Sequence, residues 1–182
     1  FRSTLRGAAA VRTLSNYCDS FVREHYQCET TVIPPTVDTD SFVPAKRSTE
    51  RRILFASDLK APNKGAALLA IAFGRVHRTC PDVVLQYAGP SDPMTDAYIL
   101  SFVNASARDA VQMIGTGTLN DIRTLYAQAS TVVLPSVGEP FGMVLTEALA
   151  SGTPVVGTQS GGIPEIITDS RIGTLYDFCE ED

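Results

Sequence analysis

The chain has 182 residues, of which 44% are hydrophobic, and a net charge of −5. That length supports one domain with its own core, and the acidic balance argues against a nucleic-acid partner held by phosphate neutralisation. No apolar run approaches the roughly 20 residues of a membrane span, and the opening FRSTLRGAAAVRTL lacks the apolar centre of a signal peptide.

The first residue is Phe1 rather than Met, as in a fragment or a processed product. Residues 1–52 carry eight Lys/Arg against six Asp/Glu, and the rest seven against fourteen, so the two parts stand at +2 and −7. Cys18, Cys28, Cys80 and Cys179 are scattered with no C-x-x-C pair. They read as reduced thiols of a cytoplasmic protein and not as a zinc site. The two histidines, His25 and His77, adjoin no candidate nucleophile, which argues against a Ser/His/Asp or Cys/His enzyme.

In chain order, AAVRTLS reads as a short strand, 16–27 as a helix and 31–33 as a second short strand. The stretch IPPTVDTDSFVPAKRSTE that follows reads as a linker, rich in Pro, Thr and Ser. From residue 50 the pattern alternates. Strands are predicted at 53–57, 83–88, 111–114, 131–135, 154–157 and 174–176, with helices near 64–79, 94–107, 119–129, 141–151 and 163–168. Alternating strands and helices predict an α/β fold, a Rossmann-like parallel sheet with helices on both faces. The unbroken apolar strand TVVLP fits a sheet covered on both sides. Ligands of such sheets bind at the carboxyl ends of the strands.

Three stretches could carry chemistry. In FASDLKAPNKGAALL, Asn63 is a plausible helix N-cap, Lys64 falls in the first turn and Gly65 permits close approach of a ligand. Lys64 opposes the helix dipole, so the alternatives are a solvated loop lysine or one facing an anion. In GEPFGMVLTEALASG, two carboxylates flank a helix start: Glu139 before it, Glu147 within it. Carboxylates suit neutral hydroxyl donors better than phosphate, whereas the amides of a helix start suit phosphate or hydroxyl oxygens. The bland alternatives are a dipole-favoured acid for Glu139 and an exposed helix face for Glu147. In TQSGGIPEII, Gly161-Gly162 gives a pliable turn, and Pro164 with Glu165 fits a helix start.

Taken together, GEPFGMVLTEALASGTPVVGTQSGGIPEII resembles the signature of retaining GT-B glycosyltransferases of the family 4 "group 1" type: two Glu separated by seven residues, Phe-Gly after the first, and Gly-Gly-x-Pro-Glu downstream. VIPPTVDTDSF resembles that family's crossover between lobes, and LNDIRTLYAQASTVVLPS the helix and strand ahead of the signature, so the likeness covers about residues 30–177.

The resemblance implies that residues 43–182 form the donor-binding carboxy-terminal lobe and that 1–42 are the end of an amino-terminal lobe with the inter-lobe linker. The reaction would be transfer of a sugar from a nucleotide-diphosphate sugar to an acceptor, with retention, no metal and no cofactor. Glu147 would accept from the nucleotide ribose and Glu139 would orient the donor sugar. Phe141, Gly142, Met143 and Val144 would meet the sugar and phosphates, and Lys64 would neutralise the leaving diphosphate. Gly115, Thr116, Gly117, Thr118 and Leu119 would meet the base. Catalytic roles would thus fall to Glu139 and Lys64, with front-face attack assisted by the leaving phosphate and no enzyme nucleophile. The diphosphate is expected between the loops after the first, fourth and fifth strands of the lobe.

One position departs from the family. Asp58 stands six residues before Lys64, where the family has an Arg that clamps the diphosphate with that Lys. Either its carboxylate faces the diphosphate, repelling it, or it turns away to pair with Lys60 or cap the loop backbone.

Two motifs are set aside. Asp38-Thr39-Asp40 spells D-x-D, a metal motif of another glycosyltransferase fold, but lies in the linker. Gly115-Thr116-Gly117 lacks the third glycine of a dinucleotide loop, which argues against a nicotinamide dehydrogenase. The expected partners are the nucleotide-sugar donor, an acceptor (glycan, lipid or small molecule) and the missing amino-terminal lobe, through which the protein could also meet a membrane surface. About 40 residues ahead of the donor lobe are too few for an acceptor lobe, so this chain alone is expected to be inert as a transferase. The alternatives are a non-catalytic nucleotide-sugar-binding module and a nucleotide-sugar epimerase of the same fold.

Overall fold

The computed structural model describes residues 2–46 and 48–177. Arg47 of the linker, Cys179 and the last five residues of the expected donor lobe lie outside the described residues. The chain opens with a short helix, α1 (Arg2–Gly7), that sequence reading did not predict. Strand β1 (Arg12–Thr13), helix α2 (Asn16–Tyr26) and strand β2 (Thr31–Val32) follow. The two strands pair in parallel, Arg12 with Thr31 and Thr13 with Val32, as a small sheet separate from the main one. Helix α2 starts where Ser15 accepts from the Cys18 amide and ends at Gln27, in the left-handed region with φ 52°.

The main sheet is built from β3 (Arg51–Ala56), α3 (Ala66–Thr79), β4 (Val83–Ala88), α4 (Pro93–Ser101), β5 (Val111–Gly115), α5 (Leu119–Gln128), β6 (Thr131–Leu134), α6 (Met143–Ala150), β7 (Val155–Thr158), α7 (Ile163–Ile166) and β8 (Gly173–Tyr176). All pairings in it are parallel, in the order β5-β4-β3-β6-β7-β8. All six predicted strands are there. The predicted helix over 94–107 is not continuous: α4 ends at Ser101, and a separate 3-10 turn spans Ala105–Ala110. Val103, Asn104 and Ser101 are poor helix formers, and Val103 is buried.

Side chains alternate across the sheet, as a pleated strand requires. Leu54, Ala56, Val132 and Leu134 join the core under α5, α6 and α7, with Tyr126, Leu145 and Ile163. Phe55, Leu85, Tyr87 and Val133 face the opposite way and join the core under α3 and α4, with Leu69, Phe73 and Ile99. Because both faces are buried, the strands carry runs of apolar residues. The linker also reaches the core: Phe42 is buried against Tyr126, ring centroids 6.0 Å apart, and Val37 packs beside it.

Strand order reverses between β3 and β6, whose crossovers leave to opposite faces of the sheet. A crevice opens at such a switch point, outside the carboxyl ends of the strands. The loop after β3 carries Lys64 and the loop after β6 carries Glu139.

Candidate functional site

Lys64 Nζ and Glu139 Oε2 are 2.7 Å apart, and the carboxylate is almost fully buried. Four hydrogen bonds fix the loops that bring them together. The Asn63 carbonyl accepts from Val137 N at 2.8 Å and from Ser136 Oγ at 3.0 Å. Thr158 Oγ1 donates to the Ser136 carbonyl at 2.5 Å, and Gly138 N donates to Ser160 Oγ at 3.0 Å. The ends of β3, β6 and β7 are thereby laced together around the ion pair.

The helix-start reading at Asn63 is corrected. Asn63 sits in a 3-10 turn over Pro62–Lys64, and α3 is capped by Gly65 with φ 77°. A Cβ on Gly65 would lie 2.2 Å from the Pro135 carbonyl oxygen, so the protein's own backbone requires a glycine here. Lys64 is not a solvated loop lysine.

Helix α6 starts at Gly142, with φ 109°. The amides of Met143 and Val144 lie in its first turn, where an α-helix supplies no backbone acceptor of its own. Glu147 lies just past the first turn and is partly buried, not on an exposed face. Its Oε2 accepts from the Tyr126 hydroxyl of α5 at 2.8 Å. Burial pushes the Glu147 carboxyl above its ordinary value and outweighs the opposing bond from Tyr126. Burial, with the Glu147 carboxylate beside it, pushes the Tyr126 phenol up strongly.

A cavity of about 460 Å³ brings most of the remaining candidates together. Gly115, Thr116, Gly117, Thr118 and Leu119 form one wall, Glu147 and Val144 another, and Asp58 lines it from the end of β3. The cavity is bounded by the ends of β3, β4 and β5, the first three strands of the sheet, and α6 after the fourth strand closes it. The 115–119 stretch is set by local chemistry. Gly115 has φ 74° beside a register shift between β4 and β5, and Thr118 with Asp121 forms a capping box at the start of α5. Leu119 and Ile114 remain exposed there.

Lys64, Glu139, Phe141, Gly142 and Met143 are not in the wall of this cavity. They adjoin it across the start of α6, where the Cβ position of Gly142 is 3.7 Å from Glu139 Cγ. A larger cavity of about 840 Å³ opens between α3 and α4, with Leu59, Met94, Tyr98 and Val137 in its walls. Both cavities are mostly apolar, and the larger holds none of the residues predicted to be catalytic or substrate-binding, so it is the gathering of those residues that distinguishes the smaller one.

Asp58 takes the loop-capping role of its second reading and also lines the cavity. Its Oδ1 accepts from the Lys60 amide at 2.9 Å, capping the loop, while the residue still lines the cavity. Lys60 itself pairs with Asp92 at 2.9 Å. Sequence reading missed Tyr126, which looks like any core aromatic in LNDIRTLYAQ. The D-x-D residues serve a turn, with Asp40 N donating to Asp38 Oδ1 at 3.1 Å. Among the described residues, no group of His, Cys, Asp or Glu is arranged to hold a metal ion, and no helix is long and apolar enough to cross a membrane.

A sequence profile of the family described as "Glycosyl transferases group 1" matches residues 36–182. The chain is 34% identical over 171 residues to alpha-maltose-1-phosphate synthase of Mycolicibacterium smegmatis, covering 83% of this chain and 43% of that protein. It superposes on sucrose-phosphate synthase from Thermosynechococcus elongatus with TM-score 0.84 and 24% identity, covering 100% of this chain and 48% of that one. On the C-terminal domain of a group 1 family glycosyl transferase from Francisella tularensis the TM-score is 0.68 at 25% identity, covering 78% of this chain and 80% of that domain. The chain thus spans less than half the length of the full-length relatives named here. From the 36–182 match and the parallel sheet of a GT-B lobe, the chain belongs to the group 1 glycosyl transferase family.

Proposed function

We propose that this chain is the donor-binding lobe of a retaining glycosyltransferase, taking a nucleoside-diphosphate sugar across the start of α6. One observation carries the reading: Glu139 and Glu147 stand on either side of that helix start, the first bonded to Lys64 and the second in a cavity closed by the 115–119 stretch. The cavity suits a nucleoside, with Glu147 accepting from the ribose and Leu119 against the base. The diphosphate then lies on the amides of Met143 and Val144, where a helix start favours anions. The sugar falls beside Phe141, Gly142 and Glu139.

Lys64 Nζ has three donors. One is held by Glu139, and the others remain for diphosphate oxygens as the glycosidic bond breaks. Charge develops there, so fixed positive groups act where they stabilise the transition state most. Lys64 and the α6 amides supply that charge from the protein, and the reading needs no metal or other cofactor. Front-face attack by the acceptor on the same side as the leaving phosphate accounts for retention. The acceptor and the wall that binds it belong to the remainder of the protein, so the 182-residue chain is expected to bind donor without transferring it.

Asp58 favours a second reading, a binding module that keeps the fold without turnover, because a carboxylate in the cavity wall opposes an anionic ligand. Calorimetry with UDP, GDP and ADP and their sugars tests donor binding, and a turnover assay on the full-length gene product separates the two readings. Binding of no nucleoside diphosphate would exclude both.

A further inference from the structure

Three segments distant in sequence meet beside Glu139. Ser15 Oγ donates to the Pro140 carbonyl at 2.5 Å, and Cys18 Sγ approaches the same oxygen at 3.4 Å. Gly162 N donates to the Glu139 carbonyl at 2.8 Å. A Cβ on Gly161 would lie 2.3 Å from the Glu139 carbonyl oxygen. One on Gly162 would lie 2.7 Å from the Pro140 oxygen and 3.1 Å from Ser15 Cβ. The glycine pair is there because no side chain fits between the amino-terminal segment and the 139–142 loop.

Glu165 closes this junction from the far side. Its carboxylate accepts from Asn16 N at 2.9 Å, Asn16 Nδ2 at 2.7 Å and Tyr17 N at 2.9 Å. The next amide, Cys18 N, donates to Ser15 Oγ at 3.1 Å. The first amides of α2, which the helix itself cannot satisfy, are therefore met by Glu165 and Ser15. Burial would raise the Glu165 carboxyl, but the bonds from Asn16 and Tyr17 outweigh it and hold the group below its ordinary value. Nothing in the proposed chemistry uses Glu165.

We propose that Ser15 and Glu165 are positioning residues: by docking the start of α2 on the Pro140 carbonyl and the Gly161-Gly162 turn, they hold the 139–142 loop in the shape that receives the donor's sugar. This rests on the reading that the loop binds the donor. The nucleoside cavity lies across α6 and includes neither residue. The device therefore acts on the sugar and leaves the nucleotide contacts alone. It also couples the sugar site mechanically to the amino-terminal segment, so that a shift of that segment would alter grip on the sugar first.

The test uses the 182-residue chain as wild type and as Ser15→Ala, Glu165→Ala and Glu165→Gln, with two measurements on each. Calorimetry compares UDP with UDP-glucose, GDP with GDP-mannose and ADP with ADP-glucose, following whichever pair the wild type binds. Glu165→Ala and Ser15→Ala should weaken the nucleotide sugar about tenfold while the bare diphosphate changes less than about twofold. Glu165→Gln keeps one of the two acceptor oxygens and sets its NH2 against a backbone amide, so its affinity should fall between those of wild type and Glu165→Ala. Amide hydrogen exchange should quicken over 139–142 in Glu165→Ala together with the start of α2, and stay as it was in β4. Equal weakening of diphosphate and nucleotide sugar, or unchanged exchange over 139–142 while α2 exchanges faster, overturns the inference. A wild type that binds none of the pairs overturns the donor reading instead, and the exchange data then decide by themselves whether the clasp holds the loop.

Discussion

The Tyr126 hydroxyl donates to Glu147 Oε2 at 2.8 Å, joining α5 to α6 on the wall of the smaller cavity. The phenol is almost fully buried, so its one polar atom depends on this carboxylate. The carboxylate in turn is kept in a partly buried place that disfavours its charge. If this charge binds the donor as proposed, holding it against its own desolvation has opposite consequences for binding and for stability.

Glu147→Gln should weaken nucleoside diphosphate binding by about 1.5–3 kcal/mol, the worth of a charge-assisted hydrogen bond. Glu139→Gln should weaken it less, because in the proposed placement Glu139 adjoins the sugar. The same Glu147→Gln change should raise Tm at neutral pH, since the amide still accepts from Tyr126 and no buried charge remains. Calorimetry and thermal melts on one protein preparation check both signs.

The pH dependence follows from the raised Glu147 carboxyl. A raised acid adds stability that is complete below its unfolded pKa and is lost as pH rises through the folded pKa. The Tm advantage of Glu147→Gln should therefore shrink as pH falls through that window, and nucleotide affinity of the wild type should fall with it. Tyr126→Phe removes the bond that lowers the Glu147 carboxyl, so the fall in affinity should begin at a higher pH. Binding titrations from pH 8 to 5 read the shift directly.

Lys64 and Glu139 form a mostly buried ion pair. Removing one partner leaves the other charge uncompensated, which costs about 3–5 kcal/mol in a fully buried setting. Lys64→Ala strands the more buried carboxylate and should lower Tm more than Glu139→Gln, which keeps an acceptor for the ammonium. Equal melting of the two variants would contradict this ranking.

Asp58→Asn keeps the bond to the Lys60 amide and removes the charge from the cavity wall. Nucleoside diphosphate affinity should rise, and Asp58→Arg should raise it further. Both gains should shrink with added salt, because charges exposed at a cavity mouth are screened over about 10 Å at 0.1 M ionic strength. Calorimetry at two salt concentrations decides it.

Gly65→Ala should destabilise the protein without any ligand present. The residue holds φ 77°, and its Cβ would meet the Pro135 oxygen at 2.2 Å. Strain of this kind costs about 1–3 kcal/mol before the clash is counted, and about 2–4 °C of Tm accompanies each kcal/mol for a chain of this size. A thermal melt unchanged from wild type would mean that the loop has moved.

The alternation of apolar strands with helices was legible in the sequence because burial of a parallel sheet on both faces leaves near-continuous Val, Leu and Ile runs such as TVVLP. The spacing of Glu139 and Glu147 was legible for the same reason: both belong to one local segment around one helix start. Partnerships across the fold were not. Nothing near Lys64 in the sequence marks Glu139, 75 residues away, as its partner, and nothing in LNDIRTLYAQ marks Tyr126 as the donor to Glu147. Asn63 looked like a cap because capping is judged from neighbours, yet the packing of Gly65 on Pro135 moved the helix start by two residues. Glu165 read only as part of its own helix start, after Pro164, and the tertiary structure spent it on α2, 149 residues earlier. Sequence periodicity reports which face of an element is buried; which polar group meets which depends on where the loops after β3, β6 and β7 converge, and only the order of strands in the sheet sets that.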